Sequence, residues 1–476
     1  VFEPHLFGWD SPTRDIAATV GVVVFLIATR WLAFPASIWE QDEAYFATAV
    51  LAFDPTANHP HPPWFPLWIG LGKLVHGFVG DPGRALQLLG AALSVWMVFP
   101  LTSLWSLMMD RTHALLATLV FLHLPGIWLL SGSGFTETAA TSLLVCAGAF
   151  WFGRPADRGL IAGSIAAGCC VLIRPHFLVA VLPMLVVALR PLSWRRTATV
   201  IGPAAILGGV AAAWLLATAG VPELIEAVRA HGSLHFGQLA AHETGFAQSG
   251  IARIPILTEA AIAWCVLAAV GAFKLFSGRQ HAPREVLISM VLPILFALVF
   301  LHNSDHPRYS IPVYAVSSGF VVFALAGWIR RWIAPVAAIV IAVGATVSWS
   351  ALEVRRTVIS PPVAAIDAAI RAAEASGSVI VLDRTLISFF ELRQEQQPTT
   401  ATWLLDSKIG RETAPPPDWA TVAVYDDVTA VSSAIASRNN ETTFRVDDRV
   451  TRRISQRRFL DVTVASEAAL QNRPIS

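Results

Sequence analysis

The chain has 476 residues, of which 55% are hydrophobic and 14% charged, against roughly 25% charged in soluble domains. With a mean hydropathy of +0.58, this composition excludes a single soluble core and points to a polytopic membrane protein. The net charge of +1 supplies no field that would draw nucleic acid or an acidic partner, so charge is informative only by position.

A spanning helix needs about 20 mostly apolar residues. In chain order the segments that reach or approach this are 15–34, 85–107, 113–131, 137–152, 159–173, 176–190, 198–218, 255–276, 286–302, 310–328 and 333–350. That predicts about eleven spans. The first run is expected to stay as a span, because it has no small-residue cleavage site and continues into Pro35. Cys146, Cys169, Cys170 and Cys265 each sit in apolar stretches at no metal or redox spacing, and are expected as reduced, packed thiols.

The apolar stretch 64–80 decides sidedness, and it contains Pro66, Lys73 and His76. If it does not cross, the short-loop arginines share a side with the N-terminus. These are Arg111, Arg154, Arg158, Arg190, Arg195, Arg196, Arg279, Arg284, Arg330 and Arg331, and the positive-inside rule makes their side cytoplasmic. The stretch is therefore expected to lie in the outer interface, with Trp64 and Trp68 at headgroup depth.

Eleven spans leave the C-terminus outside. Near Ala351 the composition turns polar, and 351–476 reads as a small soluble α/β domain after a membrane module of 1–350. Within it, 364–375 predicts a helix, 378–382 and 421–425 short strands, and 458–464 a late strand, with Pro415, Pro416 and Pro417 in a loop.

The chemistry falls in three outer segments, 35–84, 220–254 and 302–309. The first carries Asp42-Glu43 and then His59-Pro60-His61-Pro62-Pro63. Adjacent carboxylates after a span suit a general base or a metal ligand, Mg²⁺ or Mn²⁺, although the same acids equally suit a helix start. The prolines extend the backbone around His59 and His61, so both imidazoles are expected on one side. Glu137 opens the fourth span, where an ionisable group serves either a site or the helix dipole. Arg174 and His176 flank Pro175 at an outer turn, where an arginine calls for an anion. The densest run is His302-Asn303-Ser304-Asp305-His306-Pro307-Arg308-Tyr309, in which Arg308 offers a planar fork of donors to a phosphate and Tyr309 a hydroxyl. The loop 220–254 adds Glu223, Glu226, Arg229, His231, His235, His242 and Glu243 among glycines, as in a flap over a site or a plain connector.

An acidic pair after the first span, an outer His-Pro-Pro element, a Glu at the fourth span and Arg-Tyr entering a late span together resemble the GT-C glycosyltransferases. The nearest branch is the bacterial one of protein O-mannosyltransferase-like, aminoarabinose transferase-like and rhizobial lipopolysaccharide-core transferase-like enzymes. The resemblance covers residues 10–350. It implies a GT-C-like helical membrane protein of the cytoplasmic membrane, working at its outer face. It also implies a sugar donor on a polyprenyl phosphate, a lipid, glycan or protein acceptor, membrane lipids as surroundings, and inversion at the anomeric carbon. The family's acidic motif falls on Asp42-Glu43, making Asp42 the general base, with Glu43 assisting or binding acceptor or metal. Its Arg-Tyr falls on Arg308-Tyr309, making Arg308 the donor-phosphate ligand, and since no lysine accompanies it the clamp is expected to draw on Arg174 or a histidine. His59, His61, Glu137, His176 and His306 are expected to line the substrate.

Two other classes fit a polytopic chain. A transporter carries ionisable groups mid-span, whereas here His123 is the clearest such residue. An O-antigen ligase or polymerase-like protein concentrates its arginines in one large outer loop, and has no need of the acidic pair in the first loop.

Overall fold

The computed structural model describes residues 12–57, 59–153, 156–239, 254–255, 258–277, 285–300, 306–329, 332–382, 384–405, 421–426, 440–445 and 461–466. Outside these lie Arg154, Arg279, Arg284, Arg330, Arg331, His242, Glu243, the run 302–305 and the triple proline at 415–417.

Every apolar segment expected to span falls on a helix or helix pair. Among the described residues, Pro82–Trp105, Trp194–Thr218, Pro307–Leu325 and Pro335–Ser376 are long and apolar enough to cross a membrane. The pair Arg111–Leu122 and Pro125–Ser131 makes a fifth if it forms one span. It bends by 73°, because Pro125 lacks an amide donor and pushes Leu124 out of the helical region. Thr19–Trp31, Pro175–Ala188 and Ile288–Leu298 are apolar but shorter. Among the described residues four to five spans are thus evident by length and composition, fewer than the eleven expected over the whole chain.

Pro66–Val79 has 14 residues and so reaches roughly 21 Å, short of a hydrocarbon core of about 30 Å. Leu74 and Phe78 project from it unburied. These features suit a helix lying along an interface better than one crossing it.

The helix Thr136–Gly153 forms the middle of the bundle, with nearly all its side chains buried. It packs against Pro82–Trp96, Val98–Trp105, Asp157–Ile173 and Ile311–Ile329. Small polar groups fasten the bundle: Ser142 Oγ donates to Leu93 O at 2.8 Å, and Trp105 Nε1 to Ser318 Oγ at 3.1 Å. Between apolar helices in lipid such bonds and close packing replace the hydrophobic effect as glue. The loop before the central helix is packed backbone to backbone. A Cβ at Gly132 would stand 2.4 Å from Ala33 O, and one at Gly90 would stand 2.6 Å from Ser133 O, so neither position admits a side chain.

The expected boundary at 351 falls inside Ile333–Thr357; a new helix, Pro361–Ser376, begins after it. Pro361 and Pro362 set that break. The C-terminal unit holds strands β1 (Val379–Leu382), β2 (Trp403–Leu405), β3 (Thr421–Asp426), β4 (Asn440–Arg445) and β5 (Asp461–Ser466) in the order β2-β1-β3-β5-β4. β1 runs parallel to β2 and β3, and β5 antiparallel to β3 and β4. The helix Ile387–Gln396 makes the crossover from β1 to β2 that a parallel pair requires. All four residues of β1, Val-Ile-Val-Leu, are buried, as befits an interior parallel strand. Pro361–Ser376 lays Ala365, Ile366, Ala369, Ile370 and Ala373 on the core at helical spacing. Ile387–Gln396 packs in turn on Gln41–Leu51, which brings the C-terminal unit against the first outer segment.

Candidate active site

Four chain breaks deliver the charged groups to one place. Asp42 stands in the first turn of Gln41–Leu51 and Glu137 in the first turn of Thr136–Gly153, where the helix dipole favours a carboxylate. Arg174 ends Asp157–Ile173 because Pro175 follows it and holds it extended, at φ −149° and ψ 92°. Arg308 lies in the short 3₁₀ turn Pro307–Ser310 that opens Ile311–Ile329.

Arg308 donates from Nη2 to Asp42 Oδ2 at 2.6 Å, and its Nε lies 3.1 Å from Glu137 Oε1. The same Glu137 oxygen is 3.0 Å from Arg174 Nη2. One carboxylate oxygen thus stands between two buried guanidiniums. At neither contact is the angle that of a hydrogen bond, and the Nε atoms of Arg174 and Arg308 remain buried without a hydrogen-bond partner. Among the described residues Glu137 takes a side-chain hydrogen bond from Thr136 Oγ1, at 3.3 Å on Oε2. Aromatic faces complete the walls. The Arg308 guanidinium lies 4.6 Å from the Phe135 ring centre and 5.1 Å from that of Tyr309. That of Arg174 lies 5.2 Å from Phe65 and 5.6 Å from Tyr309. Such contacts hold cations where water is scarce.

Asp42 is partly exposed, its side chain keeping 21% of its accessible surface. Burial disfavours its charge, but Arg308, with His61, Arg174 and His306 behind it, holds the carboxyl well below the usual carboxylate range. Asp42 is therefore an ionised acceptor facing a guanidinium. Glu43 is turned elsewhere: Oε1 accepts from Gly134 N at 2.6 Å and Oε2 from Trp39 N at 3.2 Å. Burial pushes the Glu43 carboxyl up, against the charge of Arg355 and the amides of Gly134, Trp39 and Glu40. The two adjacent carboxylates diverge, and among the described residues no group of three His, Cys, Asp or Glu side chains is placed to hold a metal ion.

The histidines divide. His306 and His176 both meet Tyr309 edge-on, at 5.5 and 6.1 Å between ring centres. His61 stacks on Phe46 at 6.0 Å and on His231 of Val221–Leu239 at 5.1 Å, so that helix reaches the site's edge. His59 instead meets Glu391 Oε2 of the C-terminal unit at 3.1 Å. The two imidazoles of the His-Pro element have different partners rather than one shared ligand. The same element carries Trp64 and Phe65 at φ +66° and +47°, a left-handed pair that costs about 1–3 kcal/mol per residue. Trp64 Nε1 donating to Pro55 O at 3.1 Å and Phe65 packed under Arg174 hold it there.

Beside Tyr309, whose ring faces both arginines, a groove is lined by His176, Phe177, Val179, Ile294, Ala297, Tyr309 and Pro312. Its walls are mostly apolar, and Leu178, Leu182, Leu292 and Phe296 lie exposed on the helices that form it.

Three residues that no motif in the sequence announced belong to this arrangement. Phe65 and Phe135 wall the arginines. Arg355 donates to Leu129 O at 3.1 Å and to Ser133 Oγ at 2.9 Å. Its one sequence signal is an Arg-Arg pair closing the last apolar run.

No protein-family model and no curated protein sequence matches the chain. Solved structures do. ArnT from Cupriavidus metallidurans bound to undecaprenyl phosphate superposes with a TM-score of 0.59 at 15% identity, over 96% of this chain and 98% of that one. The apo state of the same protein gives 0.55 at 14%, over 95% and 98%. The Archaeoglobus fulgidus oligosaccharyltransferase tethered to an acceptor peptide containing the NVT sequon gives 0.53 at 12% identity, over 81% of this chain and 63% of that one. At these identities the likeness is one of fold. The chain is a polytopic α-helical membrane protein with a GT-C-like fold.

Proposed function

We propose that the chain is a membrane glycosyltransferase, which takes a sugar from a polyprenyl-phosphate carrier and passes it to an acceptor hydroxyl at the outer face of the cytoplasmic membrane. The observation that carries this reading is the cluster itself. Two buried guanidiniums with unsatisfied donors stand beside an ionised Asp42 and an apolar groove. The fold is one in which a solved structure holds undecaprenyl phosphate.

In this reading the lipid tail lies along the groove and the phosphate sits against Arg308 and Arg174, whose forks match its oxygens. The acceptor oxygen attacks the anomeric carbon from the face opposite the phosphate. The bond from that carbon to the phosphate oxygen breaks, and its electron pair leaves on the phosphate. Asp42 takes the acceptor's proton, as inversion requires of a base. Arg308 and Arg174 offset the charge gathering on the leaving group. Glu137 holds the two guanidiniums side by side, and Tyr309 with His176 and His306 frames the phosphate. His61 stands at the acceptor edge with Phe46 and His231, and His59 fixes the loop that carries His61.

The test is transfer from a panel of undecaprenyl-phosphate-linked radiolabelled sugars in membranes containing the wild-type chain or Asp42→Asn. Label should leave the donor lipid in the wild type and stay on it in Asp42→Asn. Equal transfer by both would remove Asp42 from the chemistry, and absence of transfer for every sugar in the wild type would count against the donor class.

A further inference from the structure

Resting on that reading, we infer that Arg355 is a positioning residue, through which the junction of membrane bundle and C-terminal unit sets the spacing of Asp42 and Glu137.

Arg355 lies in the last turn of Ile333–Thr357 and is buried. Its side chain grips one catalytic support, the segment 129–135 that runs from the end of the helix Pro125–Ser131 into the turn after it: Nη1 donates to Leu129 O at 3.1 Å and Nη2 to Ser133 Oγ at 2.9 Å. Its backbone grips the other, because Ala36 N donates to Arg355 O at 2.6 Å. Five residues on, Ser360 N donates to Ser37 Oγ at 2.8 Å, and Ser360 Oγ donates to Ile38 O. The guanidinium also lies 5.8 Å from the Trp39 ring centre. The segment 36–39 leads directly into the helix carrying Asp42, and the segment 129–135 directly into the helix carrying Glu137.

Glu43 closes the bracket from the opposite side. It accepts from Gly134 N and from Trp39 N, one amide on each support. Arg355 and Glu43 are thus two buried side chains of opposite charge, each tied to the loop before Glu137 and each beside the segment before Asp42. Removing either leaves buried donors or acceptors unpaired, which favours local opening over a new packing. Asp42 and Glu137 converge on Arg308 from different helices, so a small shift of either support changes the site more than it changes the fold. The C-terminal unit begins at Pro361, directly after this clasp, and so acts as a fixture of the site rather than an appendage.

The experiment compares the full-length wild type with Arg355→Lys, Arg355→Met and Arg308→Ala in detergent, by hydrogen–deuterium exchange without lipid and by affinity for undecaprenyl phosphate. In Arg355→Met the peptides spanning 36–43 and 129–137 should exchange at least fivefold faster together. Arg355→Lys should lie between it and the wild type, because an ammonium reaches only one of the two oxygen partners. Affinity for the lipid should fall about tenfold in Arg355→Met and be partly rescued in Arg355→Lys. If Arg355→Met unfolds, Arg355→Lys must still show the paired local rise. Wild-type exchange in both peptides of Arg355→Lys, or a rise in one alone, overturns the inference. Exchange is read without lipid, so failure of the wild type to bind undecaprenyl phosphate would sink the donor reading and leave the positioning role judged on its own result.

Discussion

Asp42 and Arg308 are 266 residues apart in the chain and 2.6 Å apart in space. The proposed base is bound to the proposed phosphate ligand, so a donor phosphate that draws Arg308 toward itself also frees Asp42 to accept a proton. The two residues should therefore fail differently. Asp42→Asn should lower transfer by about 10²–10⁴-fold, the usual worth of a general base, while keeping affinity for undecaprenyl phosphate. Arg308→Ala should lose about 1.5–3 kcal/mol of lipid binding, one charge-assisted bond, which titration of the lipid against purified protein would read. Matching losses of affinity in both variants would mean that Asp42 also holds the donor.

The depressed acidity of Asp42 fixes a sign. Its folded carboxyl ionises below the usual value near 3.9. The stability it contributes is present above that value and is lost as pH falls through the lower folded one. The acid limb of wild-type transfer should therefore not come from Asp42 at pH 5 or above. Without the Arg308 guanidinium, burial acts with less opposition, and the ionisation of Asp42 itself should move up by about 1–3 pH units, read by carboxyl-resolved NMR titration of the wild type and Arg308→Ala. An Asp42 titration unchanged in Arg308→Ala would show that the pair does not set this ionisation.

Glu137→Gln tests the carboxylate between the arginines. It keeps the shape of the side chain but removes the carboxylate at ion-pair distance from both Arg174 and Arg308, leaving Arg308 its contact with Asp42. Breaking a buried pair costs about 3–5 kcal/mol, so thermal unfolding in detergent should fall well below wild type. Added undecaprenyl phosphate, itself an anion, should then restore more stability to Glu137→Gln than it adds to the wild type. Equal stabilisation of both would argue that the lipid phosphate binds away from these guanidiniums.

The C-terminal unit meets the His-Pro element at His59 and Glu391, 3.1 Å apart and both partly exposed. A pair of this kind is worth about 0.2–1 kcal/mol. A double-mutant cycle of His59→Ala and Glu391→Ala on thermal unfolding should show coupling of that size. Strict additivity would leave the contact without energetic weight.

The helices were legible because length and hydropathy are local properties, and each apolar run falls on a helix. Asp42, Glu137, Arg174 and Arg308 stood out for a local reason too: each puts charge at the edge of an apolar run, beside a helix start or a proline. Their partners were not legible. Glu43 finds Gly134 across 91 residues, Arg355 finds Ser133 across 222, and His59 finds Glu391 across 332. Nothing in a hydrophobic period or a turn signal selects such pairs; they follow from how the bundle closes. The strand order β2-β1-β3-β5-β4 was hidden for the same reason, since a short strand does not specify its neighbours, and β2 and β4 were not legible as strands at all.

The central claim is that Arg174 and Arg308 hold a lipid phosphate beside Asp42. A cryo-electron-microscopy structure of the wild-type protein with undecaprenyl phosphate tests it most directly. Phosphate density within hydrogen-bond reach of both guanidiniums, the lipid tail along the groove of His176, Ile294 and Pro312, and Asp42 released from Arg308 would be the predicted result. Phosphate bound elsewhere, or Asp42 and Arg308 still paired with the lipid in place, would contradict it.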